Sequence, residues 1–294
     1  MSRLVFLGSP DAAVPSLRAL VEAGHEVALV VSQPDRRRGR GGALVSSPVK
    51  RAAVELGIGT TDRLDDVLGV SAEIGVVVAY GRIIPARVLD QLAMVNVHFS
   101  LLPRWRGAAP VERALLAGDA QTGVCIMRLE EGLDTGPVLA RAAVGIDHDG
   151  REGATALTAR LAELGAGLLV DTLAGGVGAL GPGAPQEGEP TYAAKLEPGE
   201  FHLDWSRPSV ELARVVRLDR AWTTFRGQRL RILRAWADAG ADAGALPGTV
   251  TGDRAAAGAG ALVLEEVQPE GRKPMTAGDW LRGVRPAPGE RLGE

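Results

Sequence analysis

Apolar and polar positions change period along this chain in a regular way. LVFLG near the N-terminus is a short apolar run closed by a glycine, and DAAVPSLRALVEAGH then places apolar residues at helical spacing up to Gly24. That is the pattern of a strand, a turn and a helix. EVALVVS, EIGVVVAYG and MVNVHF are further short apolar runs, with the helix-patterned stretches PVKRAAVELG and ARVLDQLA among them. Buried strands alternating with helices predict a Rossmann-like α/β unit built on a mainly parallel, doubly wound sheet. TGVCIMRL and VLARAAVGI add two runs of changed texture, and TALTARLAELGAGLLVDTLAGG gives a long amphipathic helix that closes the unit.

The pattern then breaks. VGALGPGAPQEGEP has Gly and Pro at a density that no helix or strand interior tolerates, and it reads as a linker. Beyond it AWTTF and LRILRAWA flank RGQR as a hairpin, while PGTVTG and ALVLEEV supply further short strands, so a small β-barrel is expected. The expected division is a first domain over 1–177, a linker over 178–198 and a second domain over 199–294. DAGADAGALPG, residues 238–248, is expected to be a mobile loop.

Composition adds limits. The 294 residues suffice for two cores, and 46% hydrophobic with 23% charged residues describe a soluble globular protein. A net charge of −3 excludes global basicity as a means of attracting nucleic acid, so such a partner would have to meet a local patch. The lone Cys125 excludes an internal disulfide, and no uninterrupted apolar stretch reaches membrane-spanning length. A cytoplasmic protein with no export signal, no membrane partner and a monomeric state is expected. The four histidines and one cysteine show no metal-ligand spacing, and neither a GxxxxGK[ST] nor a GxGxxG loop follows the first strand.

Candidate chemistry centres on Asn96, the only asparagine of the chain, and His98 two residues later. In a strand, i and i+2 share a face, so a carboxamide and an imidazole stand side by side near the carboxyl end of a sheet strand, where open α/β sheets bind ligands. Asp134, in the Gly-flanked EEGLDTG loop, is a carboxylate that could reach the imidazole and fix its tautomer. With no activated Ser or Cys nucleophile beside them, these groups suit oxyanion stabilisation and proton management while an amine attacks an acyl carbon.

NVHFSLLPRWRGAAP and TGVCIMRLEEGLDTGPVL, with LVFLGSPDAAVPSL, VVVAYGRIIP, TYAAKL and LDWSRP in order, resemble the methionyl-tRNA formyltransferases within the 10-formyltetrahydrofolate-dependent formyltransferase family. The resemblance covers nearly the whole chain. It implies that Asn96, His98 and Asp134 are the catalytic trio. It also implies that Ser100, Leu101, Leu102 and Pro103 form a folate-contacting turn, with main chain around Arg82 and Ile84 and the loop from Glu130 to Asp134 at the pterin. The formyl donor would be 10-formyltetrahydrofolate, used without a metal, the acceptor initiator methionyl-tRNA, and the second domain an OB-like barrel contacting tRNA. The loop bearing Arg36, Arg37, Arg38, Arg40 and Lys50 would engage the acceptor stem.

Local charge agrees: residues 34–51 hold six cations against one Asp, and residues 200–236 hold eight arginines against four acids. Three departures from the family pattern bear on the site. Ala12 stands where an aromatic is usual, Phe99 puts a bulky ring beside the site where a small residue is usual, and a Pro-rich segment is missing before Trp222. The alternatives are a formyltransferase acting on a sugar nucleotide or glycinamide ribonucleotide, and a non-catalytic RNA- or folate-binding relative.

Overall fold

The fold is described from a computed structural model, over residues 1–38, 42–147, 150–241 and 244–294. Two compact units are present: one of Met1–Pro110, Gln121–Val144 and Thr158–Ala194, the other of Val111–Ala120, Gly145–Leu157 and Lys195–Glu294.

The first unit is organised by a seven-stranded sheet. Across it run Val138–Gly145, Gln121–Arg128, Met94–His98, Ile74–Val78, Arg3–Gly8, Glu26–Val31 and Thr60–Thr61. Neighbours from Met94–His98 through Thr60–Thr61 pair in parallel. Ile74–Val78 is buried at every position, as a parallel strand covered on both faces must be. The first strand lies in the middle and the chain builds outward from it in both directions, so the order reverses between Arg3–Gly8 and Ile74–Val78. The crevice outside the carboxyl ends of strands near such a reversal is where doubly wound sheets hold ligands. Gln121–Arg128 departs from the parallel pattern and pairs antiparallel with Met94–His98, setting Cys125 opposite His98.

Two segments expected to be a loop and a linker take part in backbone pairing. Arg36–Arg38 pairs antiparallel with Ala43–Val45 in a two-stranded ribbon where a loop was expected. The Gly/Pro-rich stretch after the long helix Ala154–Leu173 is fixed to the first unit at two places. Val138 and Ala184 exchange two backbone hydrogen bonds of 2.8 Å, and Tyr192–Ala193 pairs in parallel with Arg106–Gly107.

The second unit is an antiparallel sheet with its own core, as the short strands and turn signals predict. Trp222–Phe225 and Gln228–Asp238 form the expected hairpin, joined by Arg226 and Gly227 with φ of +51° and +70°. Left-handed values at both positions are those of a type I′ turn, whose twist matches that of the strands. Bulges around Arg234 bend the long strand. Its inward residues, Leu230 and Ile232, pack with Trp205, Phe225 and Trp280. Among the described residues no helix is long and apolar enough to cross a membrane.

The hairpin tip is tied down by Arg226, which donates from Nε and Nη2 to both carboxylate oxygens of Glu290 at 2.7 Å. These bonds, with the Ala287 N–H, draw the Glu290 carboxyl from 4.5 to about 2. A depressed carboxyl stabilises the fold above its unfolded value and loses that contribution as pH falls through the folded one. Arg226→Met should therefore flatten the loss of stability between pH 4.5 and about 2, checked by denaturant titrations across that window. An unchanged acid limb would show that the pair does not act on folding.

Candidate active site

Asn96 and His98 occupy one face of Met94–His98, while Val95 and Val97 on the other face are 0% and 3% exposed. The period of two thus aims the only polar residues of the strand at the same space. That space is a cavity of about 500 Å³ whose wall includes Asn96, His98 and Asp134 with Arg82, Ile84 and Leu129. Its size falls within the range usual for small-molecule sites. The Asn96 carboxamide has no hydrogen-bond partner among the described residues, so its donors and acceptor are available to a ligand.

His98 is held from two sides. Its Nε2 lies 2.9 Å from the Trp105 carbonyl oxygen. A carbonyl only accepts, so Nε2 carries the hydrogen. Nδ1 then faces the Asp134 carboxylate at 3.6 Å, and both side chains are nearly withdrawn from water, at 6% and 12% exposure. The Gly107 N–H donates to the same Asp134 oxygen at 2.7 Å. Trp105 and Asp134 both have left-handed φ, +63° and +51°. Residues other than glycine hold such values at about 1–3 kcal/mol each, and only where the surroundings over-determine them.

Among the other cavity residues, burial pushes the Tyr80 hydroxyl up, with the Arg82 guanidinium pulling in the opposite direction. Arg82 and Ile84 are thus brought together with the trio. The SLLP residues are not: Ser100 is fully buried with its hydroxyl donating to the Arg104 carbonyl, and Leu102 packs with Cys125, Met127 and Val138. Neither they nor Leu101 and Pro103 line the cavity. Phe99 borders it, but the ring's Cε1 lies 3.7 Å from the place a Cβ on Gly165 would take. The missing side chain of Gly165 leaves room beneath the helix, and the ring reaches toward it. Ala12 sits in the short helical turn Asp11–Ala13, outside the cavity wall. Sequence reasoning passed over Trp105 and Gly107 because they act through backbone atoms, which leave no side-chain signature.

On the arginine hairpin, Arg36 and Arg37 are exposed. Lys50 is not free, since its ammonium pairs with Asp35 at 2.9 Å. That hydrogen bond holds the Asp35 carboxyl below its usual value. The six cations counted from the sequence therefore overstate what the hairpin offers an anion. Arg40 lies outside the described residues. Among the described residues no group of three His, Cys, Asp or Glu could hold a metal.

Comparison with known proteins gives first the class. Residues 2–173 match the formyl transferase family and 195–285 the formyl transferase C-terminal domain, so the chain belongs to the formyl transferases. Within that family its relatives include methionyl-tRNA formyltransferases along almost their whole length. Those of Roseobacter denitrificans and Paracoccus denitrificans are 47% and 46% identical, covering 96% of this chain and 95% and 97% of their own. Among solved structures, an N-formyltransferase from Helicobacter canadensis, in complex with folinic acid and dTDP-3-aminofucose, superposes with a TM-score of 0.71 at 15% identity, covering 92% of this chain and 100% of that one. The methionyl-tRNA formyltransferase of Clostridium thermocellum gives 0.59 at 15% identity, covering 80% and 93%. These two share the fold.

Gly107 generates a prediction. With φ at +119°, a Cβ there would stand 2.9 Å from the Ala193 carbonyl oxygen. Gly107→Ala should displace the N–H that anchors Asp134 and reduce turnover by about 10²-fold, the scale expected of a small misplacement of catalytic groups. Steady-state kinetics alongside circular dichroism checks this; wild-type turnover would sink it.

Proposed function

We propose that this protein transfers the formyl group of 10-formyltetrahydrofolate to the amino group of methionine on initiator methionyl-tRNA. The observation that carries the reading is the unpartnered Asn96 carboxamide beside the His98–Asp134 pair in one cavity, in a chain with methionyl-tRNA formyltransferase relatives at full length. The cavity suits the donor, because Ile84, Leu89 and Leu129 offer apolar walls to a flat ring while Asn96 and His98 supply polar groups beside them.

The donor brings an acyl carbon that an amine can attack directly. Asn96 would donate an N–H to the formyl oxygen as negative charge gathers there, a kind of contact whose removal costs about 10²–10³-fold in turnover. His98 and Asp134, shielded together from water, would take up the proton released by the attacking amine and return it to the departing nitrogen. No step requires a nucleophilic side chain.

Asn96→Ala, His98→Ala and Asp134→Ala should each lower turnover by about 10²–10⁴-fold while retaining the fold. Their combination should cost less than the product of the three, because they act on one reaction centre. The assay follows release of tetrahydrofolate with charged initiator tRNA as acceptor. An amino-sugar nucleotide and glycinamide ribonucleotide serve as parallel acceptors, and preference for either would overturn the tRNA assignment.

The exposed Arg36 and Arg37 suit contact with a phosphate backbone. Replacing both with alanine should flatten the slope of log tRNA affinity against log salt by about 1.4–1.8, the ions released by two phosphate contacts. Binding of the folate donor should not change. Parallel slopes for wild type and variant would remove the hairpin from the tRNA interface.

A further inference from the structure

The two groups that hold His98 are themselves held by one short stretch of chain. Trp105 accepts from His98 Nε2 through its carbonyl, and its own N–H donates to the Thr191 hydroxyl at 2.9 Å. Asp134 faces Nδ1 through its carboxylate, and its carbonyl accepts from the Gln186 amide at 2.8 Å. Trp105 and Asp134 are both left-handed, and each is restrained by one side chain from the segment that follows the long helix. Left-handed backbone at a large residue does not persist without such restraint.

The Gln186 side chain is fully engaged in this task. The Gln186 nitrogen also donates to the Gly136 carbonyl at 2.8 Å, while Oε1 accepts from Nε and Nη2 of Arg106 at 3.0 and 2.7 Å. Two donors and two lone pairs are the whole capacity of a carboxamide. Arg106 lies between Trp105 and Gly107, the residue whose N–H anchors the Asp134 carboxylate. Gln186 therefore joins both arms of the clamp. Thr191 is fixed in turn, its N–H donating to the Pro103 carbonyl at 3.2 Å and its carbonyl accepting from the Arg106 N–H at 2.8 Å. Neither residue lines the cavity, so each acts through another group.

We infer that Gln186 and Thr191 are positioning residues for His98: Thr191 sets the Trp105 carbonyl that accepts from Nε2, Gln186 sets the loop carrying Asp134, and together they fix the direction of the imidazole. The stretch between the two family-matched regions is on this reading part of the reaction centre. The kinetic half of the inference rests on the formyl-transfer reading, and the spectroscopic half does not.

The test uses the full chain with Thr191→Val, Thr191→Ser, Gln186→Ala and Gln186→Glu. Glutamate at 186 keeps acceptors for Arg106 but loses the donors to Asp134 and Gly136. Valine at 191, alanine at 186 and glutamate at 186 should each lower kcat by about 10–100-fold, with KM for donor and tRNA within twofold. Thr191→Ser, which keeps the hydroxyl, should restore kcat. Long-range proton–nitrogen NMR of the His98 ring, followed across pH without substrate, should show the Nε2–H tautomer in wild type and in Thr191→Ser. In the other variants the ring nitrogen signals should depart from this wild-type pattern. Unchanged ring signals with kcat near wild type overturn the inference, as does a raised KM with unaltered kcat. If Thr191→Val fails to fold, the two Gln186 variants decide. If wild type transfers no formyl group, the proposed reaction fails while the ring signals still settle the positioning role.

Discussion

The grip on the His98 ring, by the Trp105 carbonyl on one edge and the Asp134 carboxylate facing the other, is the constraint around which the first unit is arranged. At 5% exposure the imidazole is too buried to exchange hydrogen bonds freely with water, so its partners must come from the protein. They come from two loops far apart in sequence, and both must turn through left-handed backbone to arrive. The register of Met94–His98 against Gln121–Arg128 makes this possible. It places the loop after Arg128 within reach of the face that bears Asn96 and His98.

Much of this was legible in the residues. Continuous apolar runs marked strands covered on both faces, helical spacing marked the crossovers, and RGQR between AWTTF and LRILRAWA marked the hairpin. The period of two put Asn96 and His98 together, and a glycine-flanked carboxylate pointed to Asp134. What escaped was decided by contacts distant in sequence. Arg36–Arg38 finds its partner in Ala43–Val45, a stretch too short to read as a strand alone. Phe99 borders the cavity, and its ring meets Gly165, 66 positions later. Ser100 and Leu102 face the core although they adjoin the site.

Charge counts were the least transferable of the readings. Several arginines of the second unit are committed within it: Arg207 and Arg234 to Glu211 and Glu265, Arg226 to Glu290, Arg220 over the Phe201 ring and Arg229 over Trp222. Exposed ion pairs of this kind contribute little to stability, about 0–1 kcal/mol each, yet they cancel the field that a tally of arginines implies. Recognition of an anion by this unit would depend on which cations stay unneutralised, and Lys50 in the first unit makes the same point.

The attachment of Ala184 to Val138 and of Tyr192–Ala193 to Arg106–Gly107 has a consequence for the modularity of the chain. A fragment cut after the long helix would preserve every strand of the seven-stranded sheet. Its left-handed turns, however, would lose the chain that braces them. The first unit therefore runs on to Ala194, some twenty residues past the long helix, and because Val111–Ala120 and Gly145–Leu157 cluster with the other unit, no single cut of the chain parts the two.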